Sequence, residues 1–136
     1  MDLTKTNLIA AAGLRAQGER MRVIAENIAN ADSTSALPGA DPYRRKTVLF
    51  ANELDRATGV ELVRIAGETF DKGQFERRFD PGHPSADSDG YVLLPNVNPM
   101  VEMTDMRQAL RSYEANLAVI EVTKTMVQRT IDLLRG

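Results

Sequence analysis

Apolar positions that repeat in sevens at both ends of the chain restrict its fold more than any other feature. Near the start, Leu3, Ala10, Gln17, Ile24 and Ala31 form one row, and Asn7, Leu14, Met21 and Ile28 form its companion. Near the end, the rows are Met103, Leu110, Leu117, Lys124, Ile131 and Met106, Tyr113, Ile120, Val127, Leu134. Spacing that alternates between three and four is the pattern of a helical seam that meets another helix. The expected fold is mainly α with a small β-rich middle. Two long terminal helices form a coiled-coil-like pair, with short antiparallel strands and loops between them. Segments 1–31 and 98–136 are expected to make a helical assembly domain, and 32–97 a loop plus the β-rich region.

Local signals place the ends of these elements. The first helix is predicted from Leu3 to Asn30 with Asp2 as N-cap. Its outer faces carry Arg15, Glu19, Arg22 and Glu26 at helical contact spacing. Gly13 and Gly18 each weaken it by about 1 kcal/mol relative to alanine. The thin surface of Ala10 to Gly13 also permits another helix to approach closely. For the second helix, Asn98 can cap and Pro99 suits the first position, while Glu102 and Asp105 lie near the positive end. It is predicted to reach Leu134, which at ~1.5 Å per residue makes it roughly 50 Å long.

Between the helices, Ala31 to Pro42 reads as a loop. Thr47 to Phe50, Val60 to Ala66 and Tyr91 to Leu94 read as short strands, and Ala51 to Ala57 is compatible with a short helix. A middle of about sixty residues is marginal as an independent core. Isolated helices are marginal too. The terminal segments are therefore expected to be partly disordered in the monomer and to become helical between subunits.

Composition excludes more than it specifies. Seventeen basic residues against nineteen acidic ones give no electrostatic footprint for nucleic acid or anionic lipid. Without cysteine there are no disulfides, thiolate metal sites or cysteine nucleophiles. No stretch approaches the length of a membrane span, and Asp2, Thr4, Thr6 and Asn7 interrupt any secretory leader. Departure from the cytoplasm, if it occurs, is expected to proceed without a cleaved signal peptide.

Candidate chemistry is sparse. His83, the single histidine, sits in Asp80-Pro81-Gly82-His83-Pro84, a turn sequence. Ser85 to Gly90 resembles a calcium loop only superficially, because Ser85 and Asn96 stand where the first acid and closing Glu belong. Arg44-Arg45-Lys46 lacks the aromatic platform or second basic patch of a phosphate or nucleic-acid site. It is expected to be a solvated turn or an intersubunit salt-bridge patch. No catalytic residue, cofactor or metal is expected, and the chain does not read as an enzyme.

Several segments carry a resemblance. Ala25-Glu26-Asn27-Ile28-Ala29-Asn30-Ala31-Asp32 resembles the asparagine-bearing motif shared by axial proteins of the bacterial flagellum. The longer Ser33 to Pro42 stretch before Tyr43-Arg44-Arg45-Lys46 is similar to the FlgC-type proximal rod family, although Ser35-Ala36-Leu37 departs from its small polar and glycine residues. Asp80 to Pro84, Gly90-Tyr91-Val92 and Leu94 to Pro99 resemble that family's junction into its last helix. Arg111-Ser112-Tyr113-Glu114-Ala115-Asn116 is like its Tyr-x-Ala-Asn signature.

The resemblance implies a structural subunit of the basal-body rod, the periplasm-spanning shaft that transmits motor torque. It implies export through the flagellar type III apparatus and contacts with other copies, other rod proteins and components near the MS ring. The expected assembly interface comprises Leu14, Met21, Ile24, Asn27, Ile28 and Asn30 on the first helix. On the second it comprises Met103, Met106, Leu110, Tyr113, Asn116, Leu117, Ile120, Val127, Ile131 and Leu134. Asn27, Asn30 and Asn116 are expected to fix register, as buried polar residues do in coiled coils. Competing readings are another axial or type III secretion rod subunit, a helical adaptor or chaperone, and a hydrolase using Asp80, His83 and Asp87.

Overall fold

The computed structural model describes residues 2–136. Two helices enclose four strands in chain order: α1 (Leu3–Ala29), β1 (Lys46–Asp55), β2 (Val60–Phe70), β3 (Glu76–Phe79), β4 (Tyr91–Leu94) and α2 (Pro99–Arg135). Both helices start as their sequences dictate. Asp2 Oδ1 accepts the Thr4 and Lys5 amides at 3.0 and 3.2 Å, and Asn98 Oδ1 accepts the Met100 amide at 3.0 Å. No helix among the described residues is long and apolar enough to cross a membrane.

The chain forms two compact units, each drawn from several segments. The first comprises the chain up to Met21, Leu49–Gly67 and Arg107–Gly136. Within it the helices are antiparallel: Arg20 Nη2 donates to Gln108 Oε1 at 3.0 Å, and Gly13 faces Asn116. A Cβ at position 13 would lie 2.7 Å from Asn116 Oδ1, so the Asn116 side chain would have to shift for any residue larger than glycine. Ala10, Ala12, Ala16 and Ala109 are buried here. These small side chains bring helix backbones close without filling much volume.

The tip of the β1–β2 hairpin belongs to the same unit. Asp55 builds the turn by accepting the Ala57 amide at 3.0 Å and the Thr58 hydroxyl at 2.8 Å with its carboxylate, and the Gly59 amide at 2.7 Å with its carbonyl. Gly59 has φ +70°, which only glycine adopts readily. The turn chemistry overrides the short helix considered for Ala51 to Ala57, and β1 runs through to Asp55. Leu49, Phe50 and Leu54 stay exposed.

The second unit comprises Arg22–Val48 and Glu68–Met106. Here β3 pairs antiparallel with β4, Glu76 opposite Leu94 and Phe79 opposite Tyr91. All four β3 residues are exposed, so no apolar alternation marked that strand in the sequence. Tyr91 stacks edge-on against Phe79, and Val92 is buried. The loop before β4 is a turn held by Asp87, whose Oδ1 accepts the Tyr91 and Asp89 amides at 2.9 and 3.0 Å. Those amides, the Tyr91 one foremost, hold the Asp87 carboxyl below its ordinary value. His83 Nδ1 accepts the Ser85 amide at 3.0 Å, and the Ser85 hydroxyl donates to the Ser35 carbonyl, tying the 33–42 loop to this turn.

Candidate assembly surface and its polar anchor

The face of α2 turned inward is a heptad row of its own: Glu102, Ala109, Asn116 and Thr123. Three of these are buried and Asn116 is half-buried. The Asn116 amide and the Thr123 hydroxyl each donate at 2.8 Å to the carbonyl four residues earlier in α2, which satisfies them without a partner helix. The apolar row expected to make the seam lies one residue further round, about 100° away on a helix of 3.6 residues per turn. Met103, Leu110, Leu117 and Ile131 are all exposed.

The companion row behaves differently along its length. Met106, Tyr113 and Ile120 are half-buried, whereas Val127 and Leu134 are exposed, Leu134 to 84%. On α1, Ile24 and Asn27 are buried, and Leu14, Met21 and Ile28 are half-buried. Asn30 is half-buried beyond the last turn, where its side-chain amide donates to the Glu26 carbonyl at 2.9 Å. The structure thus separates the sixteen residues. Those of α1 and the first part of the Met106 row lie wholly or partly inside, and an apolar stripe of α2 lies outside.

At the inner end of α2, within the second unit, sits a polar cluster that the sequence did not reveal. Glu102 is 0% exposed. Its carboxylate accepts Arg45 Nε through Oε1 and Asn27 Nδ2, at 3.0 Å, through Oε2. Asn27 is saturated: Nδ2 also donates to the Lys46 carbonyl at 2.8 Å, and Oδ1 accepts the Lys46 amide at 3.0 Å and the Tyr43 hydroxyl at 2.8 Å. Arg45 reaches Asp71 and Asp105 as well, at 3.3 and 3.4 Å. Its own amide donates to Asn96 Oδ1 at 2.8 Å. Lys46 Nζ pairs with Glu26 at 2.6 Å.

Titration follows from this geometry. Burial depresses the Arg45 guanidinium, but the hydrogen bond and charge of Glu102, followed by those of Asp71, more than reverse the effect. Its value ends above that of an ordinary arginine, so it is charged at any accessible pH. Burial first, then the charges of Glu26, Glu102 and Glu68, push the Tyr43 phenol up to about 12. Asp71 lies below its ordinary value, chiefly because the Gly73 amide donates to its carboxylate and then because Arg45 pairs with it.

The Arg44-Arg45-Lys46 expectation needs correction. The cluster is not a solvated turn, because its charges are paired inside the second unit. Arg44 donates to the Asp71 and Gly73 carbonyls and stacks on Phe75, while Arg45 and Lys46 meet carboxylates of α2 and α1. Burial of Glu102 requires a cation beside it, and this sequence supplies Arg45. Glu102 itself reads from the sequence as an acid near a helix start. The signal available was its place seven, fourteen and twenty-one residues before Ala109, Asn116 and Thr123.

Among the described residues no group of three or more acids and histidines is placed to hold a metal ion. The chemistry available is cohesion: a fixed inner core and an unfilled apolar stripe.

Comparison with known proteins agrees with that picture. Residues 88–133 match the family model described as flagellar basal body rod FlgEFG protein C-terminal. The flagellar basal-body rod protein FlgC of Agrobacterium fabrum is 53% identical over 98% of this chain and 96% of its own length. Its counterpart in Borreliella burgdorferi is 40% identical over the whole of both chains, and that of Salmonella typhimurium 39% identical over 92% of each. With identity at this level along essentially the full chain, the protein belongs to the FlgC family of flagellar basal-body rod proteins.

Proposed function

We propose that this chain, a structural subunit of the basal-body rod and not an enzyme, polymerises through its terminal segments 1–31 and 98–136 into the periplasmic shaft. One observation carries the reading: the apolar row Met103, Leu110, Leu117 and Ile131 is left uncovered by the chain's own fold. Exposed apolar surface of this kind, interrupted here by Lys124 between Leu117 and Ile131, marks an interaction site. Heterologous contacts that do not close generate helical polymers. Many such contacts in parallel distribute torque so that no single ion pair bears it.

In this reading Asn27 sets register from within, by fixing where α2 and the start of β1 meet α1. The neighbours are other copies, sister rod proteins and basal-body components near the MS ring. The chain reaches them through the flagellar type III export apparatus, without signal cleavage. The test is purification of intact basal bodies from cells carrying a tagged chain. The wild-type chain is expected in the rod, and the Met103→Glu, Leu110→Glu double variant is expected to be absent although it is expressed and folded. Incorporation of that variant at wild-type levels would remove the row from the interface.

A further inference from the structure

We infer that the last two turns of α2 from one copy dock in a groove of the next copy, between α1 and the β1–β2 hairpin. The inference deepens the rod reading and rests on it. The groove, about 990 Å³, lies within the first unit. Its floor includes Ala12, Ala16 and Leu62, and Leu54 stands on the hairpin wall. Two turns of helix, ~11 Å long and 10–12 Å across, occupy on the order of 1,000 Å³, a comparable space.

The chain itself supplies a matching knob. Position 13 lies against 116 and 20 against 108. Continuing that antiparallel register places Leu3 opposite roughly residue 126. α2 therefore outruns α1, and every residue from Lys124 onward is exposed. The overhang carries Val127, Ile131 and Leu134 at helical face spacing, with Leu133 beside them, 82% exposed. The groove's charges are balanced, Arg15, Arg56 and Arg64 against Glu19, Glu53 and Asp55, and Glu53 already pairs with Arg64 at 2.9 Å, so the match is one of size and apolar surface.

The overhang cannot fill its own groove. It projects beyond Leu3, whereas the groove begins at Ala12, roughly 14 Å back along α1 at ~1.5 Å per residue. A second copy must provide the occupant. Knob and hole at different places on one chain form a head-to-tail contact that propagates instead of closing.

The two halves can be inactivated separately. Leu134→Asp spoils the knob and Leu54→Arg the hole, both at exposed positions. In sedimentation experiments the wild type is expected to form a length distribution of oligomers, and each variant alone is expected to lose association at least tenfold. A one-to-one mixture of the variants retains one good knob and one good hole, so it is expected to form discrete dimers. Oligomerisation of either variant like the wild type, a mixture that stays monomeric, or a monomeric wild type would overturn the docking.

Circular dichroism spectra of both variants are expected to match the wild type, and a second measurement does not depend on destabilising substitutions. The chain has no cysteine, so a chain carrying Leu54→Cys and Leu134→Cys should give a ladder of disulfide-linked species in purified basal bodies. Incorporation without a ladder overturns the docking and leaves the rod reading intact. Absence of the wild-type chain from basal bodies overturns both.

Discussion

The two units of this protein are stabilised in opposite ways. In the second, Glu102, Asn27, Arg45, Lys46 and Tyr43 satisfy one another inside the fold. In the first, helices meet through alanine and glycine, the Asn7 Oδ1 and Gln17 Oε1 atoms are buried without a hydrogen-bond partner among the described residues, and leucines stand in solvent. The second unit pairs its buried polar groups within the chain, although Leu37, Phe79, Met100 and Met103 stand exposed on it, and the first leaves more of its apolar surface for the proposed neighbours to cover. A rod subunit needs both, a fixed body that positions the contact and a surface whose burial is deferred until assembly.

Substitutions in the second unit should therefore cost most in the isolated subunit. Glu102→Ala leaves Arg45 and the Asn27 amide without their buried acceptor. Arg45 keeps Asp71 and Asp105, so the loss should fall below the ~3–5 kcal/mol of leaving a buried charge unpaired. Denaturant unfolding should register this loss. A loss below about 1 kcal/mol would mean that the cluster is no firmer than a surface ion pair.

The contact between Gly13 and Asn116 probes the first unit. Glycine to alanine on an open helix face gains about 1 kcal/mol. Here the new methyl meets the Asn116 side chain at 2.7 Å, and overpacking of this kind costs about 1–3 kcal/mol. Gly13→Ala should therefore destabilise. Gly13→Ala with Asn116→Ala should recover the loss and exceed the wild type. A double-mutant cycle with no coupling would show that the two helices are looser than the structure has them.

The hydroxyl of Tyr43 contributes less. Tyr43→Phe removes one hydrogen bond to Asn27 and should cost about 1 kcal/mol. Because folding raises the phenol to about 12 from an ordinary 10.0, the unfolded chain ionises first as pH rises. Stability should be full below pH 10 and fall between 10 and 12, a dependence that Tyr43→Phe should flatten. Asp71 acts at the other limb. Its folded value is depressed, so its contribution is present above the ordinary 3.8 and is lost as acid carries the pH below that.

Legibility in the sequence followed the same division. The helices were readable because Asp2 and Asn98 cap them and their apolar residues recur every three or four positions. The outer stripe of α2 was readable for the same reason, and its residues are those left exposed. The inner face was not, because Glu102, Ala109, Asn116 and Thr123 are small or polar and apolar periodicity is blind to them. Nor was the Arg45 cluster, since its acids lie twenty-six, fifty-seven and sixty residues away. Charge alone does not say which distant carboxylate a basic run will meet.

The smallest effect on the isolated chain should accompany the largest on assembly. Leu117 is 41% exposed and lies on the outer row, so Leu117→Glu removes only a partly packed side chain from the subunit. Surface changes of this kind usually stay within about 0.5 kcal/mol. Unfolding curves of the variant and the wild type should superimpose. A charge buried without a partner between neighbouring helices is penalised by several kcal/mol, so the same variant should fail to enter the rod, and cells dependent on it should not swim. If Leu117→Glu instead unfolds the monomer, the stripe belongs to the subunit's own core. The contrast between the two units would then collapse.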